Sequence, residues 1–465
     1  MAGPRRRHHV TRVLIVGAGP AGIRAAETLA TAGLHPVVVD EAARAGGQIY
    51  RRPPEGFTRP PEKLYGSEAA KARALHATFD ALVAGGKVTH LPQRSVMALH
   101  EGVAHVLGEA RQKIPYDRLI LATGATDRLA PVPGWQAGGV YTLGAAQIAL
   151  KAQGVALGRQ IVLAGSGPLL TLLAAQLLAA GAEVAAVLDS APMAAQVQGG
   201  LRMALARPLV TLRGLRLRAA LGRHYHAGIA LERIESDETG PTAVVWREAG
   251  GRVRRTGCDM VGLGWHLRSD GTLADLAGAG FDWSPEFAQW LPRADPLGRA
   301  GDGLYLAGDG LRILGADGAE LAGRAAAIAC LQDLGLPHPD PASVLRRLAR
   351  MQRFAKGMAQ AFPWPAEMIR RLPDEATVCR CEGISAGDLR GTLPLSGAEA
   401  NRAKSLARVG MGRCQGRYCQ LAGAEIIAAA SGQAPRDVGR LRAQPPARPA
   451  PIGAWLAAEE RREAE

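Results

Sequence analysis

Aromatic residues make up only 4% of this 465-residue chain, and lysine is rarer still, seven against forty-nine arginines. So few aromatics beside 58 glycines argue against a β-sandwich or barrel core and for an Ala/Gly-rich nucleotide-binding architecture. The formal net charge of +14 raises nucleic acid as a partner, but the arginines are scattered and no aromatic-interleaved basic patch accompanies them, so no nucleic acid is expected. A signal peptide is missing: Arg5 to His9 run into the strand-like segment Arg12 to Val16 with no apolar stretch and cleavage site between them. No run suits a bilayer either, because the longest apolar stretch, Leu169 to Leu188, is interrupted by Gln176, Gly181 and Glu183 and reads as helix, turn, strand. The chain is therefore expected in the cytoplasm, at most peripheral to the inner face of the membrane through a complex. Six cysteines in a reducing compartment favour metal or cluster ligation over disulfides. No Cys-x2-Cys lies near either dinucleotide-type unit and no Cys-x4-Cys follows the first, which excludes a dithiol reductase mechanism.

The length predicts about three domains. In the first unit, Arg12 to Val16 is a strand, Gly17, Gly19 and Gly22 form a G-x-G-x-x-G turn holding Pro20 and Ala21, a helix runs to Ala32, and Val37 to Val39 is a second strand closing on Asp40 and Glu41. Every contextual requirement of a dinucleotide site is met: Gly17 for the tight turn, Gly19 for backbone approach to a pyrophosphate, Gly22 for helix packing, and Asp40 for ribose hydroxyls. Two later buried strands, Tyr116 to Leu121 ending in Thr123-Gly124, and Gly303 to Ala307 ending in Gly308-Asp309, suit the returning half of an FAD domain, with the Asp309 carboxylate on the ribityl chain. Between them a second unit repeats the pattern: strand Gln160 to Ala164, turn Gly165 and Gly167, a helix to Ala180, and strand Val184 to Leu188 closing on Asp189. Its third glycine position holds Leu170, which is expected to crowd the dinucleotide path, so NAD(P) is disfavoured there and a structural or repurposed domain is expected.

Near the C-terminus Cys379 and Cys381 share one short loop, and Cys414 and Cys419 lie in a segment with glycines at 410, 412 and 416. Four thiolates suit tetrahedral zinc or a [2Fe-2S] cluster, and the glycines leave room for backbone to wrap a bulky ligand. Cys258 and Cys330 sit in apolar sequence as buried bystanders.

Three segments carry a resemblance: Gly46, Gly47, Gln48, Ile49, Tyr50 and Arg51; Val132 to Trp135 with Val140 to Gln147; and Val378 to Glu382 with Gly410 to Cys419. The chain resembles the α-subunits of bacterial amine and imino-acid dehydrogenase complexes, the group that includes those of opine oxidase, hydroxyproline dehydrogenase and hydrogen cyanide synthase. The resemblance implies an α/β fold with two Rossmann-like domains of the FAD/NAD disulfide-reductase type and a small C-terminal domain like bacterioferritin-associated ferredoxin, its [2Fe-2S] cluster held by the four cysteines. It also implies a partner β-subunit of the D-amino-acid-oxidase type that oxidises the substrate, FMN at a subunit interface in some complexes, and in some a small ferredoxin-like subunit. The expected domains are 1–134 with 255–335 for FAD, 135–254 as the inserted NAD-type domain, 336–373 as linker and helix, 374–435 for the cluster, and 436–465 as an extended, mobile tail. The acidic stretch from Ala316 to Ala322, with Asp317 and Glu320, has no sequence-level assignment.

Overall fold

The computed structural model describes residues 11–460; the basic segment Arg5 to His9 lies outside them. The chain opens with strand β1 (Val13–Val16), helix α1 (Pro20–Thr31), and strands β2 (Val37–Val39), β3 (Thr89–Leu91) and β4 (Arg118–Leu121). Every residue of β1 is buried, as befits a central parallel strand covered on both faces. A second sheet follows, built from β5 (Val140–Thr142), β6 (Gln160–Ser166), β7 (Glu183–Asp189), β8 (Tyr225–Ala227) and β9 (Met260–Trp265) in the order β8-β7-β6-β9-β5, every pair parallel. Its helices are α2 (Pro168–Ala179), α3 (Met193–Ala206) and α4 (Pro208–Ala220). The chain then returns to the first sheet with β10 (Arg299–Gly301) and β11 (Leu304–Leu306), giving the order β10-β11-β4-β1-β2-β3. Helix α5 (Gly315–Asp333) packs on α1 so closely that a Cβ at Gly323 would fall 2.0 Å from the Ala21 carbonyl oxygen. Each sheet is the doubly wound arrangement expected of a dinucleotide-type domain.

Two domain expectations change. Strand β9 pairs with β6 inside the second sheet, so the inserted domain runs to Trp265 rather than 254. The crossing back is made by Leu267–Ser269, antiparallel to Ala125–Asp127. The helix expected within 336–373 is α6 (Ala342–Ala361), which lies on α3, where a Cβ at Gly199 would meet the Ala361 amide at 2.3 Å. The tail is not mobile chain. Arg440 forks onto Asp275 at 2.6 and 2.7 Å, the buried Ala447 donates its amide to Met97 at 2.8 Å, and Arg448 bridges Glu41 and Asp270. A helix, Ile452–Glu460, ends the described chain. The tail is pinned because Arg440 and Arg448 find carboxylates and Ala447 finds the core.

The cysteine-bearing region shares its apolar core with the second domain: Trp135, Val162 and Trp246 belong to one cluster with Val378, Cys379, Cys419 and Ile426. Trp135 also donates its indole N–H to the Thr377 carbonyl at 2.6 Å. The unassigned acids are structural as well. Asp317 accepts from Lys71 and Arg207, and Glu320 pairs with Arg24 at 2.7 Å, so these carboxylates tie α5 to its neighbours.

Candidate cofactor and cysteine sites

The first glycine turn is fixed by backbone that only glycine can follow. Gly17 has φ +105°, and a Cβ there would lie 2.3 Å from the Ala122 carbonyl oxygen; one on Gly22 would lie 1.8 Å from the Gly17 oxygen. At Gly19 a Cβ would meet only Gly47 Cα at 3.6 Å, so the surface before α1 is open, with the helix amides facing it and Pro20 at the first helical position. Gly47, at φ +64°, brings the Gly46–Arg51 segment against that turn. Asp40 is pinned: its carboxylate accepts from the Ala18 amide at 2.5 Å and the Ala42 amide at 2.6 Å, and burial raises its pKa. Glu41 points outward to Arg448 at 2.6 Å. Gln48 accepts from Arg51 at 2.8 Å and is exposed. Asp309 is half-buried; one oxygen accepts from the Leu314 amide at 2.8 Å and the Gly315 amide at 3.2 Å, and desolvation pushes its carboxyl up to about 6. Its other oxygen takes no hydrogen bond among the described residues. Gly308, at φ +68°, sits against Ala21.

Sequence reasoning missed Lys151. This lysine is buried, its Nζ 3.4 Å from the Ile49 carbonyl, and burial lowers its pKa to about 8. Its rarity was the available signal: where arginine fills nearly every basic position, a buried lysine marks a need for a compact cation that can lose its proton.

The second turn differs at its middle glycine, Gly167 at φ +107° where Gly19 has φ −80°, and its outlook is closed. Gly165 (φ +136°) presses on the Gly264 carbonyl, where a Cβ would be 1.8 Å away. Leu170 is fully buried among Ile161, Leu163 and Leu173. Asp189, the counterpart of Asp40, is buried and takes hydrogen bonds from the Tyr225 hydroxyl at 2.6 Å and the Ala191 amide at 2.9 Å. The Arg218 guanidinium covers the Tyr225 ring, 4.6 Å from its centroid.

The four C-terminal cysteines are brought together as reduced thiols in two couples, Cys379 with Cys419 and Cys381 with Cys414. A hydrogen bond from Cys419, and amides of Gly410, Glu382 and Cys381, bring Cys379 down to about 6; the shared proton raises Cys419. Among the described residues no three such side chains gather about one point at metal-ligating spacing. Four neighbouring thiols are a donor set that suits a [2Fe-2S] cluster or a single tetrahedral ion. Gly412 makes the approach feasible, since a Cβ there would fall 2.3 Å from the Cys381 Cβ. Arg380, between the first two cysteines, donates to the carbonyls of Val140 and Ala137 at 3.1 and 3.0 Å, anchoring the loop to the second domain.

One buried residue touches both sites. Asp270 donates its amide to the Gly124 carbonyl at 3.1 Å and accepts from Thr123 Oγ1 at 2.8 Å through its own carbonyl. Its carboxylate faces Arg448 at 3.0 Å and Arg417, in the loop between Cys414 and Cys419, at 3.6 Å. Arg268 completes the joint by donating to the Arg417 carbonyl at 3.1 Å.

This arrangement defines one component of a flavoprotein oxidoreductase, and its sequence agrees: residues 11–217 match the pyridine nucleotide-disulphide oxidoreductase family and residues 382–459 the sarcosine oxidase A3 domain. More narrowly, the chain belongs to the family of opine oxidase A subunits. It is 37% identical to the family's member from Rhizobium meliloti, across 94% of this chain and 85% of that one. It is also 30% identical to the HcnB subunit of hydrogen cyanide synthase from Pseudomonas aeruginosa, across 96% and 98%, and 26% identical to the alpha subunit of sarcosine oxidase from Rhizobium meliloti, across 96% of this chain and 42% of that one. The solved L-proline dehydrogenase from P. horikoshii shares the fold, with a TM-score of 0.70 at 18% identity over 96% of this chain and 80% of that one. These relatives are named as subunits, and no helix among the described residues is long and apolar enough to cross a membrane.

Proposed function

We propose that this chain is the FAD- and [2Fe-2S]-carrying electron-transfer subunit of a heteromeric dehydrogenase or oxidase acting on a secondary amine, imino acid, opine or glycine. Substrate oxidation then falls to a partner flavoprotein subunit of the D-amino-acid-oxidase type. The observation that carries this reading is the Asp270 joint, which bolts the Thr123-Gly124 strand end to the cysteine loop in a few bonded steps. When bound, FAD accepts two electrons together and releases them singly, as a one-electron cluster requires.

The residues of this chain have definable tasks. Gly17, Gly19, Pro20, Ala21 and Gly22 offer the amide-lined helix start to the pyrophosphate, with Gly47 closing the cradle. The free Asp309 oxygen receives a ribityl hydroxyl. Asp40 holds the turn, and Lys151, behind Ile49, holds a proton beside Gln48 and the exposed face of the motif. Cys379, Cys381, Cys414 and Cys419 ligate the cluster, while Arg268 and Arg417 balance its negative charge. The domains are FAD-binding residues 1–134 with about 266–335, an inserted domain to Trp265, and a cluster domain from about 374. Cytoplasmic residence, FMN at an interface and a small ferredoxin-like partner belong to the same proposal. Self-sufficient NAD(P)H-dependent reduction is disfavoured by the closed turn at Asp189 and Tyr225.

Anaerobic purification with the partner, followed by iron and acid-labile sulfide analysis, tests the cluster; the absence of both overturns it. Cys414→Ser should abolish the cluster's visible absorbance while FAD stays stoichiometric, and loss of both together would show that the sites are not separable.

A further inference from the structure

A second, partly open cleft lies away from the flavin motif and the cysteines, where the domain crossing meets helix α6. It is a cavity of about 180 Å³ bounded by Arg128, His266, Phe287, Ile313, Phe362 and Trp364. That exceeds the ~150 Å³ known to hold benzene in an apolar core. Most of its wall is apolar or aromatic, yet it contains a charge with no direct ion pair, Glu425 attracting it only from beyond ion-pair distance. Arg128 is 7% exposed. Two of its nitrogens donate to the Phe287 and Ala288 carbonyls at 2.9 and 2.7 Å, its Nε has no partner, and no carboxylate lies within ion-pair distance among the described residues. Its guanidinium stacks over Trp364, 4.1 Å from the ring centroid, and the buried Trp364 indole N–H is likewise unpartnered. Glu286, the acid at the rim, is engaged by Lys356 at 3.0 Å, and Glu425 by Arg370 at 3.1 Å.

The backbone around the cavity is strained. His266 has φ +67° and Ala288 φ +45°, two non-glycine residues in the sparsely populated left-handed region lining one space. Such outliers cluster where a ligand is clamped. His266 accepts the Leu267 amide on Nδ1 at 2.6 Å, so its Nε2–H faces Met358 Sδ at 3.0 Å and the ring is neutral, its pKa lowered by burial to about 4. It offers no negative charge to Arg128.

We propose that this cleft binds a small organic carboxylate, its anionic end toward the Arg128 guanidinium and its apolar body against Phe362 and the Trp364 ring. The ligand supplies the missing direct ion pair, and a fork-shaped donor beside an aromatic plane selects a planar carboxylate over a neutral isostere.

The test is calorimetric titration of the FAD-loaded full chain, free of partner, with benzoate and with the uncharged benzamide. Saturable one-to-one binding of benzoate is expected, with benzamide at least about 10-fold weaker. Arg128→Gln should weaken benzoate about 10- to 100-fold while the flavin spectrum is unchanged. Ala359→Leu, which fills the cavity wall and leaves Arg128 untouched, should abolish binding and decides the matter if the arginine variant does not fold. A flat titration, meaning that the cavity holds water alone, overturns the proposal. So does equal affinity for benzamide, or benzoate binding that survives Ala359→Leu. None of these readouts depends on the cluster or on amine oxidation.

Discussion

The two strand–turn–helix units carry nearly the same pattern and end as opposites. In the first, Gly22 lets α1 settle on the turn and Gly19 faces open space; in the second, Leu170 is absorbed into the core and Asp189 is capped by Tyr225. A dinucleotide fingerprint thus specifies a backbone turn, and whether the turn remains a site depends on what covers the acidic residue at the end of the next strand. Asp40 is tied by backbone amides at the lip of an open cradle. Asp189 is tied by a side chain arriving thirty-six residues later, which closes the space.

Breaking the contrast should cost most at Gly22. Valine there places carbon on the Gly17 carbonyl and should unfold the first domain, a loss above about 4–5 kcal/mol, seen as absent flavin and an early denaturant midpoint. Leu170→Ala should cost about 2–5 kcal/mol as a core cavity without creating a nucleotide site; rapid mixing with NADPH should still leave the flavin oxidised, and fast bleaching would erase the distinction between the units. Asp309 gives a pH signature. Its desolvated carboxyl, raised from 3.8 to about 6, favours the protonated folded state, so its contribution is full below about pH 4 and is lost as pH rises through 6, by up to about 3 kcal/mol. Flavin-free Asp309→Asn should therefore show a flatter stability profile than the parent between about pH 4 and 6. The smallest change is expected from Tyr225→Phe, which removes one hydrogen bond to Asp189 at a cost of about 1.5–3 kcal/mol and should loosen the second turn without admitting NAD(P)H.

The sequence makes the first turn and the fold class legible because glycine spacing encodes a conformation other residues cannot adopt. Leu170 likewise signals the closed second turn. What stays hidden is long-range. Tyr225 on Asp189, Arg448 on Asp270 and the couples Cys379–Cys419 and Cys381–Cys414 join residues whose proximity follows from tertiary packing alone. The tail reads as mobile for the same reason: its prolines are visible locally, whereas the acids that hold Arg440 and Arg448 lie far back in the chain. Arg128 and His266 gave no motif at all, since an isolated arginine and histidine look ordinary until burial removes their partners.

The return of the chain to its first sheet has a consequence for synthesis. Strand β4 cannot find its neighbour β11 until about 180 further residues have been made, roughly 10–40 s at ribosomal speed. Throughout that interval an apolar parallel strand has an unpaired edge, while the inserted domain, contiguous from β5 to β9, can close by itself. Arg448 of the tail reaches Glu41 across 407 residues. The nascent chain therefore finishes its middle before its beginning, and its first domain is the part most in need of a chaperone.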